Sequence, residues 1–208
     1  MKKFALLIAV LLSSLASSLG QNEKKPEFFA GYSFESVDTG VNSTDVGTTT
    51  SLDNHFKANG FQLSATSYFT KRFGLTADFS GHFNSRTDFF GTTTGQSKFS
   101  LYNITGGPQI RFASASRFTP FAQVLAGIAR RNFSETIPST STSFTDNKTS
   151  FALNLGGGMD YKFSNRFAWR IVQFDYNPIF LKSRTIDSIA IPDRTLNGFR
   201  FSTGIVIK

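Results

Sequence analysis

The sequence predicts an all-β fold, an eight-stranded antiparallel up-and-down barrel that spans a membrane. Three observations indicate it: apolar and polar residues alternate along the segments, short and long connections alternate between them, and the apolar positions carry large uncharged side chains. The clearest segment is FGLTADFSGHF, Phe73–Phe83. One of its faces includes Phe79, whereas the other includes Asp78 and His82.

The N-terminus carries the one continuous apolar run of the chain. Two lysines form a basic start, residues 4–12 form an apolar centre, and Ser-Leu-Gly at positions 18–20 forms a small-residue cleavage site. This pattern is typical of a secretory signal peptide, which is removed from the mature protein. We therefore predict a signal peptide at residues 1–20, export of the chain, and a barrel at residues 21–208.

Composition narrows the functional classes. The 208 residues include 25 Phe and no Cys, and no internal run of about 18 apolar residues could form a membrane-spanning helix. Disulfides and thiolate chemistry are therefore excluded. The formal charge of +8 falls to +6 when Lys2 and Lys3 leave with the signal peptide. This excess favours anionic lipid headgroups over nucleic acid as a partner, and a solubilising surplus of Lys and Arg in loops is the other interpretation.

Eight segments with strand-like alternation follow the signal peptide, and the fifth is the least clear because small residues occupy both of its faces. The segments are 26–37, 61–69, 73–83, 101–112, 117–131, 151–163, 167–176 and 198–208. Three connections are short (TKR, ASAS and SNR). The four others are long and rich in Thr, Ser, Asn and Asp, at 38–59, 84–97, 132–149 and 178–194. Membrane barrels have this layout, with turns towards the periplasm and loops outside.

Side-chain size and charge predict that the apolar face of the sheet is its outer face. In the clearest strands the apolar phase lacks Lys, Arg, Asp and Glu, whereas the polar phase holds small side chains and about one ionisable residue per strand. A charge at the centre of the lipid face would cost roughly 2–4 kcal/mol. A soluble lipocalin-like carrier, with the reverse pattern, is the alternative.

Aromatic residues cluster where the strands meet the three short turns, the place for an interfacial girdle. The predicted girdle consists of Phe69, Phe73, Phe112, Phe118, Tyr161, Phe163, Phe167 and Trp169.

A family resemblance rests on segments such as FFAGYSF, FGLTADFSGHF, GPQIRF and GGGMDYKFSNRFAWRIVQFDY. They resemble the small outer-membrane β-barrel proteins of Gram-negative bacteria, and the architecture is similar to the transmembrane domain of the outer membrane protein A family. The resemblance covers nearly all of residues 26–208 and includes no catalytic signature. It implies a barrel in the cell outer membrane whose partners are outer-membrane lipid, lipopolysaccharide and, during biogenesis, the barrel-assembly machinery.

Two departures from the family pattern concern the end of the chain. No peptidoglycan-binding domain follows the last strand, so a cell-wall tether is not implied. The last residues are IVIK, where such barrels usually end on an aromatic residue that the assembly machinery reads.

Ionisable residues in the inward phase predict a lumen charge network. The network consists of Glu35, Asp78, Arg111, Asp160, Lys162, Arg170, Asp175 and Arg200. In the seventh strand Arg170 lies in one phase and Asp175 in the other. We therefore predict a β-bulge between them, because a charge would otherwise face lipid. Side chains fill a lumen eight strands wide, and buried charges must pair. We expect a salt-bridged plug, with a narrow low-conductance channel as the alternative.

An enzyme that modifies lipid A is a further alternative, and it makes a more specific prediction than the channel does. His55 and His82 are the available histidines, and His82 lies near Ser80 with Glu35 expected across the sheet. The segment SGHFNS does not give the His-x-Ser spacing of lipid A deacylases. We therefore predict no enzyme activity and no catalytic residue.

Metal and cofactor sites are also not expected. Two distant histidines and no Cys cannot form a metal cluster. The GGG at 156–158 lies in a strand and precedes no helix, so it is no phosphate cradle. Its glycines are expected to make room for neighbouring groups inside the barrel.

The long Thr- and Ser-rich connections are expected to be mobile and exposed on the cell surface. Binding of surface ligands through them is one interpretation, and a solvated shield is the other. The sequence as a whole predicts a non-enzymatic integral outer-membrane barrel that supports envelope integrity and presents surface loops.

Overall fold

A computed structural model describes residues 26–38, 55–90, 93–112, 117–137, 142–181, 184–186, 189–191 and 193–208. The strands are β1 (Glu27–Asp38), β2 (His55–Tyr68), β3 (Phe73–Phe90), β4 (Thr93–Arg111), β5 (Phe118–Ile137), β6 (Thr142–Lys162), β7 (Phe167–Leu181), β8 (Arg184–Ile186), β9 (Ile189–Ile191) and β10 (Arg194–Ile207). The predicted signal peptide lies outside the described residues. Within the described part of the chain, no helix is long and apolar enough to cross a membrane.

Eight of these strands form a closed antiparallel barrel in the order β1-β10-β7-β6-β5-β4-β3-β2, and β8 and β9 form a separate small hairpin. Pairs from Phe28↔Ile207 to Val37↔Gly198 join the first strand to the last. Closure gives every strand two hydrogen-bonded neighbours, the condition for a sheet in hydrocarbon. The predicted eight-stranded up-and-down barrel is confirmed.

The outer face of the barrel is apolar and the inner face is polar. Leu63 is 45% exposed, and Phe174 and Phe199 are each 64% exposed. Asp78 and Arg200, in the opposite phase, are 3% and 1% exposed. The predicted orientation of the two faces is confirmed, and the lipocalin-like pattern is excluded.

Three of the long connections were predicted wrongly as loops. Pairing of β3 with β4 continues to Phe90↔Thr93, and pairing of β5 with β6 continues to Ile137↔Thr142. In the fourth connection β7 runs on to Leu181 and the β8–β9 hairpin follows. Thr and Phe favour extended backbone. The backbone pairing of an antiparallel ladder does not require the alternation of apolar and polar residues, which these segments lack. Residues 39–54 of the first connection lie outside the described part of the chain.

The predicted β-bulge in β7 is confirmed. Met159 pairs with Val172 and Asp160 pairs with Arg170, so one extra residue of β7 is inserted between these pairs. The hydroxyl of Thr203 on β10 donates a hydrogen bond to the carbonyl of Arg170, 3.0 Å away. The shift turns the Arg170 side chain to the same side as Asp175, and both are buried.

Candidate functional site: the barrel lumen

A buried guanidinium lies at the centre of the lumen. Arg200 on β10 donates from Nη1 to Asp78 Oδ1 on β3 at 3.0 Å and to Ser80 Oγ at 2.9 Å. Its Nη2 donates to Asp175 Oδ2 on β7 at 2.8 Å. Because β3 and β10 are not neighbours in the barrel, the first contact crosses the lumen. One cation therefore ties two carboxylates from separate parts of the wall.

Amide side chains complete the hydrogen bonding of the two carboxylates. Gln173 Nε2 donates to Asp175 Oδ2 at 2.7 Å, and Gln123 Nε2 donates to Asp175 Oδ1 at 3.1 Å. Gln62 Nε2 donates to Asp78. Buried carboxylates are tolerated when paired and hydrogen-bonded in this way. A Cβ at Gly156 would overlap Asp175 Oδ1, so this glycine makes room for the carboxylate.

A second cation lies between this centre and the short turns. Arg170 on β7 donates from Nε and Nη2 to the two carboxylate oxygens of Asp160 at 2.8 and 3.2 Å. The rings of Phe29 and Phe121 lie against its guanidinium, with centroids 4.5 and 4.2 Å away. Bidentate pairing and two aromatic faces surround the charge.

A third cationic group occupies the rim at the short turns. Arg111 Nη2 lies 2.5 Å from Glu27 Oε2, and its guanidinium stacks 3.8 Å from the ring centroid of Tyr68. Lys208 Nζ lies 3.2 Å from the other oxygen of Glu27. The prediction for Lys162 is wrong: its side chain is exposed rather than part of the buried network. It is the last residue of β6, where the phase points inward but the wall ends.

On the loop side of Arg200, a hydroxyl, an imidazole and a carboxylate form a buried chain. Ser33 Oγ lies 2.8 Å from His82 Nε2, and His82 Nδ1 lies 2.7 Å from Glu35 Oε2. The second of these contacts is close but is not aligned as a hydrogen bond. Ser33 and His82 both face Gly60 in the register, and the missing side chain of Gly60 lets them meet. Asn177 Nδ2 donates to Glu35 Oε1 at 3.0 Å.

Between these polar layers and the long hairpins the lumen is apolar, and sequence reasoning missed this layer. It consists of Val37, Phe99, Leu101, Ala129, Ala152, Ile179 and Leu196. Leu101 is 1% exposed. The sequence does contain evidence of this layer, because alternation places Phe99 and Leu101 on the same inward face as Asn103.

The residues of the predicted aromatic girdle lie beside the short turns. Trp169 and all six phenylalanines of the girdle are 40–58% exposed, and Tyr161 is half-buried. The rings of Phe118 and Tyr161 contact each other at 5.1 Å between centroids, and those of Phe163 and Phe167 stack at 6.4 Å.

The outward-facing apolar surface and the closed barrel agree with the comparison to known families. The family model of the outer membrane protein beta-barrel domain matches residues 4–197. The chain belongs to this family. Membership places it in the cell outer membrane of Gram-negative bacteria. No curated protein matches the sequence.

Several solved barrels share the fold of this family member. The attachment invasion locus protein Ail of Yersinia pestis is 17% identical, with a TM-score of 0.55 over 89% of this chain and 99% of that chain. Neisserial surface protein A is 15% identical, with a TM-score of 0.58 over 88% and 96%. The outer membrane protease OmpT of Escherichia coli is 8% identical, with a TM-score of 0.51 over 90% and 97%. At these identities the likeness concerns the fold alone, so it does not decide between structural and enzymatic roles.

Proposed function

We propose that the protein is a non-enzymatic integral outer-membrane barrel that supports the envelope and presents surface hairpins, with its lumen closed by side chains. The observation that carries this proposal is the buried contact of Arg200 with Asp78 and Asp175 across the lumen. The Arg170 layer lies on one side of it, and the apolar layer around Leu101 lies on the other. These three successive layers fill the lumen, and a filled lumen favours a structural role over transport.

Conductance in planar bilayers tests the closed lumen. We expect the reconstituted protein to give no single-channel steps, because water and ions would have to cross the two ion-paired layers and the apolar layer. Steps that disappear in Glu35→Gln or Arg200→Gln, in protein that still migrates as a folded barrel, would instead establish the narrow channel. Steps that persist in both variants would also contradict the closed lumen.

Hydrolysis or acyl transfer is the second candidate, because Ser33, His82 and Glu35 are arranged like a nucleophile, its base and an orienting acid. All three side chains are completely buried. The nearby backbone N–H groups belong to the barrel ladder, so no pair of them is free to stabilise an oxyanion. A buried polar chain that cross-links β1 and β3 is the better-supported interpretation.

Lipid A composition separates the two candidates. Cells that produce the wild-type protein and cells that produce Ser33→Ala are expected to have identical lipid A by mass spectrometry. A modification present with the wild type and absent with Ser33→Ala would establish the enzyme. The matched control is Ser202→Ala, because Ser202 donates to Ser33 Oγ at 3.0 Å, whereas Ser33 is the residue hydrogen-bonded to His82 Nε2.

Export through the signal peptide, contact with lipopolysaccharide and binding of surface ligands belong to the same proposal. Three observations support them: the N-terminal sequence, the location of the family in the outer membrane, and the length of the strands of the long hairpins, which exceeds what a membrane crossing needs. Loop proteolysis on intact cells tests the orientation, and the long hairpins are expected to be cut while the short turns stay protected.

A further inference from the structure

The three short turns share one sequence pattern. Each begins with Phe, continues through two or four residues, and ends with Arg-Phe: Phe69–Phe73, Phe112–Phe118 and Phe163–Phe167. The arginines are Arg72, Arg117 and Arg166, and all three are exposed. A turn of a membrane barrel needs polar residues but no particular cation. An arginine at the same place in all three turns therefore suggests that the three arginines share a function.

The backbone of the first and third turns is built in a similar way. The N–H of Thr70 donates to the carbonyl of Phe73 at 3.2 Å, and the N–H of Ser164, at the same position of the pattern, donates to the carbonyl of Phe167 at 3.1 Å. Thr70 Oγ1 also accepts from the N–H of Phe73 at 2.8 Å. These two turns therefore close within a few residues, and Arg72 and Arg166 each precede the phenylalanine that accepts the closing hydrogen bond.

Each turn arginine lies beside a second basic residue, at the end of the neighbouring strand or directly after it. Its backbone carbonyl accepts a hydrogen bond from the N–H of that residue, at 2.7–2.9 Å. The three pairs are Arg72 with Arg111, Arg117 with Lys162, and Arg166 with Lys208. The rim at the short turns therefore carries three basic pairs, with Lys71 in addition.

The acidic side chains near this rim already have partners. Glu27 is held by Arg111 and Lys208, and Asp160 is held by Arg170. Among the described residues, none of the ion pairs involves Arg72, Arg117 or Arg166. Within the described part of the chain, these exposed arginines therefore carry positive charge that no carboxylate neutralises.

The flanking aromatic residues place these charges at the depth of lipid headgroups. Phe69 and Phe73, on either side of Arg72, are 58% and 49% exposed. Exposed rings at the end of a membrane strand belong to the interface between hydrocarbon and water. A guanidinium one residue away from such a ring lies at the level of the phosphates, to which it can donate two parallel hydrogen bonds.

We propose that Arg72, Arg117 and Arg166 form a collar that binds the phosphate groups of anionic phospholipids in the periplasmic leaflet of the outer membrane. This inference rests on the proposed function as a membrane barrel, with its short turns towards the periplasm. It commits to lipid rather than to a soluble anion, because every arginine of the collar is bracketed by rings that need hydrocarbon.

Lipid binding to the full mature protein tests the collar. Detergent-folded protein is titrated with phosphatidylglycerol and with phosphatidylcholine, and bound lipids are counted by native mass spectrometry. We expect the wild type to prefer phosphatidylglycerol. In the triple variant Arg72→Gln/Arg117→Gln/Arg166→Gln, the preference for phosphatidylglycerol over phosphatidylcholine should fall about fivefold for each arginine removed. The matched control is Lys57→Gln/Lys98→Gln/Arg130→Gln, which removes the same charge from exposed positions nearer the long hairpins and should keep the preference.

The outcomes distinguish a failure of the collar from a failure of the proposed function. If heat-modifiable gel migration shows that the wild type does not form a barrel, the proposed function fails. If the barrel forms but the preference is absent, or the two triple variants lose it equally, the collar alone is overturned. The lipid source is also tested. Inorganic phosphate or soluble dextran sulfate that displaces phosphatidylglycerol completely would overturn the commitment to lipid, and persistence of lipid binding in their presence would support it.

Discussion

Arg200 and Asp175 face each other across the β10–β7 ladder, and Nε and Nη2 of the guanidinium donate to the same carboxylate oxygen at 3.0 and 2.8 Å. The third nitrogen of the same group reaches Asp78 on the other side of the lumen. A single side chain on the last strand therefore braces the barrel wall from within. The inner polar face therefore cross-links the barrel wall.

Removal of this brace is expected to be costly. Arg200→Gln leaves two buried carboxylates without their cation, and we expect a loss of about 3–5 kcal/mol in the free energy of unfolding. The measurement is urea unfolding of the lipid-reconstituted protein, followed by the fluorescence of Trp169, the one tryptophan of the chain. Arg130→Gln, at an exposed position, should change this free energy by no more than about 0.5 kcal/mol. Equal losses in the two variants would contradict the role given to Arg200.

The space at Gly156 gives a second prediction. In Gly156→Ala the new Cβ overlaps a carboxylate oxygen of Asp175 and the backbone carbonyl of Phe174. We expect a loss of about 1–3 kcal/mol in the free energy of unfolding, as in other overpacked interiors. Gly106→Ala is the control, because a Cβ there meets only the carbonyl of Thr76, at an ordinary distance of 3.5 Å. A stable Gly156→Ala variant would show that the wall can yield at this point.

The apolar layer gives a third prediction, which compares two leucines. Leu101 is buried in the lumen, whereas Leu155 is 40% exposed on the outer face. Leu101→Ala opens a cavity that the surrounding wall cannot fill, with an expected loss of about 2–5 kcal/mol in the free energy of unfolding. Leu155→Ala should lose less, because mobile acyl chains move into the space. The reverse order in a urea titration would contradict the inward packing of Leu101.

The depth of Trp169 gives a fourth prediction. Its indole is 46% exposed, and its Nε1 donates to Thr203 Oγ1 at 3.2 Å. We expect lipids brominated near the glycerol to quench its fluorescence more strongly than lipids brominated near the end of the acyl chain. Phe167→Trp in a Trp169→Phe background should behave in the same way, since both positions belong to the girdle. Stronger quenching from the bilayer centre would place the girdle too close to the midplane.

Strand identity and the direction of each face could be predicted because both follow from local alternation and from the cost of charge in lipid. The bulge in β7 followed from the same cost, since Arg170 and Asp175 could not both face inward in a regular strand. The failure at Lys162 has a related origin. Alternation gives the direction of a side chain but not the height at which the wall ends.

The contacts inside the lumen could not be predicted because they depend on register and on the distance across the barrel. Ser33 and His82 meet because both face Gly60, a relationship between three strands that no single segment contains. The contact of Arg200 with Asp78 requires closure of the whole barrel. The long hairpins were not predicted for another reason, because their sequences lack the alternation of apolar and polar residues that indicates a strand.

The length of β5 and β6 has a consequence for what lies outside the bilayer. They contain 20 and 21 residues, whereas about 10 are enough to cross the hydrocarbon. The remaining half, at roughly 3.3 Å per residue, rises on the order of 25 Å above the bilayer even when tilted. In the proposed orientation, an antibody, a bacteriophage or a host receptor approaching the bacterium would meet the top of this hairpin before it could reach the part of the barrel within the bilayer.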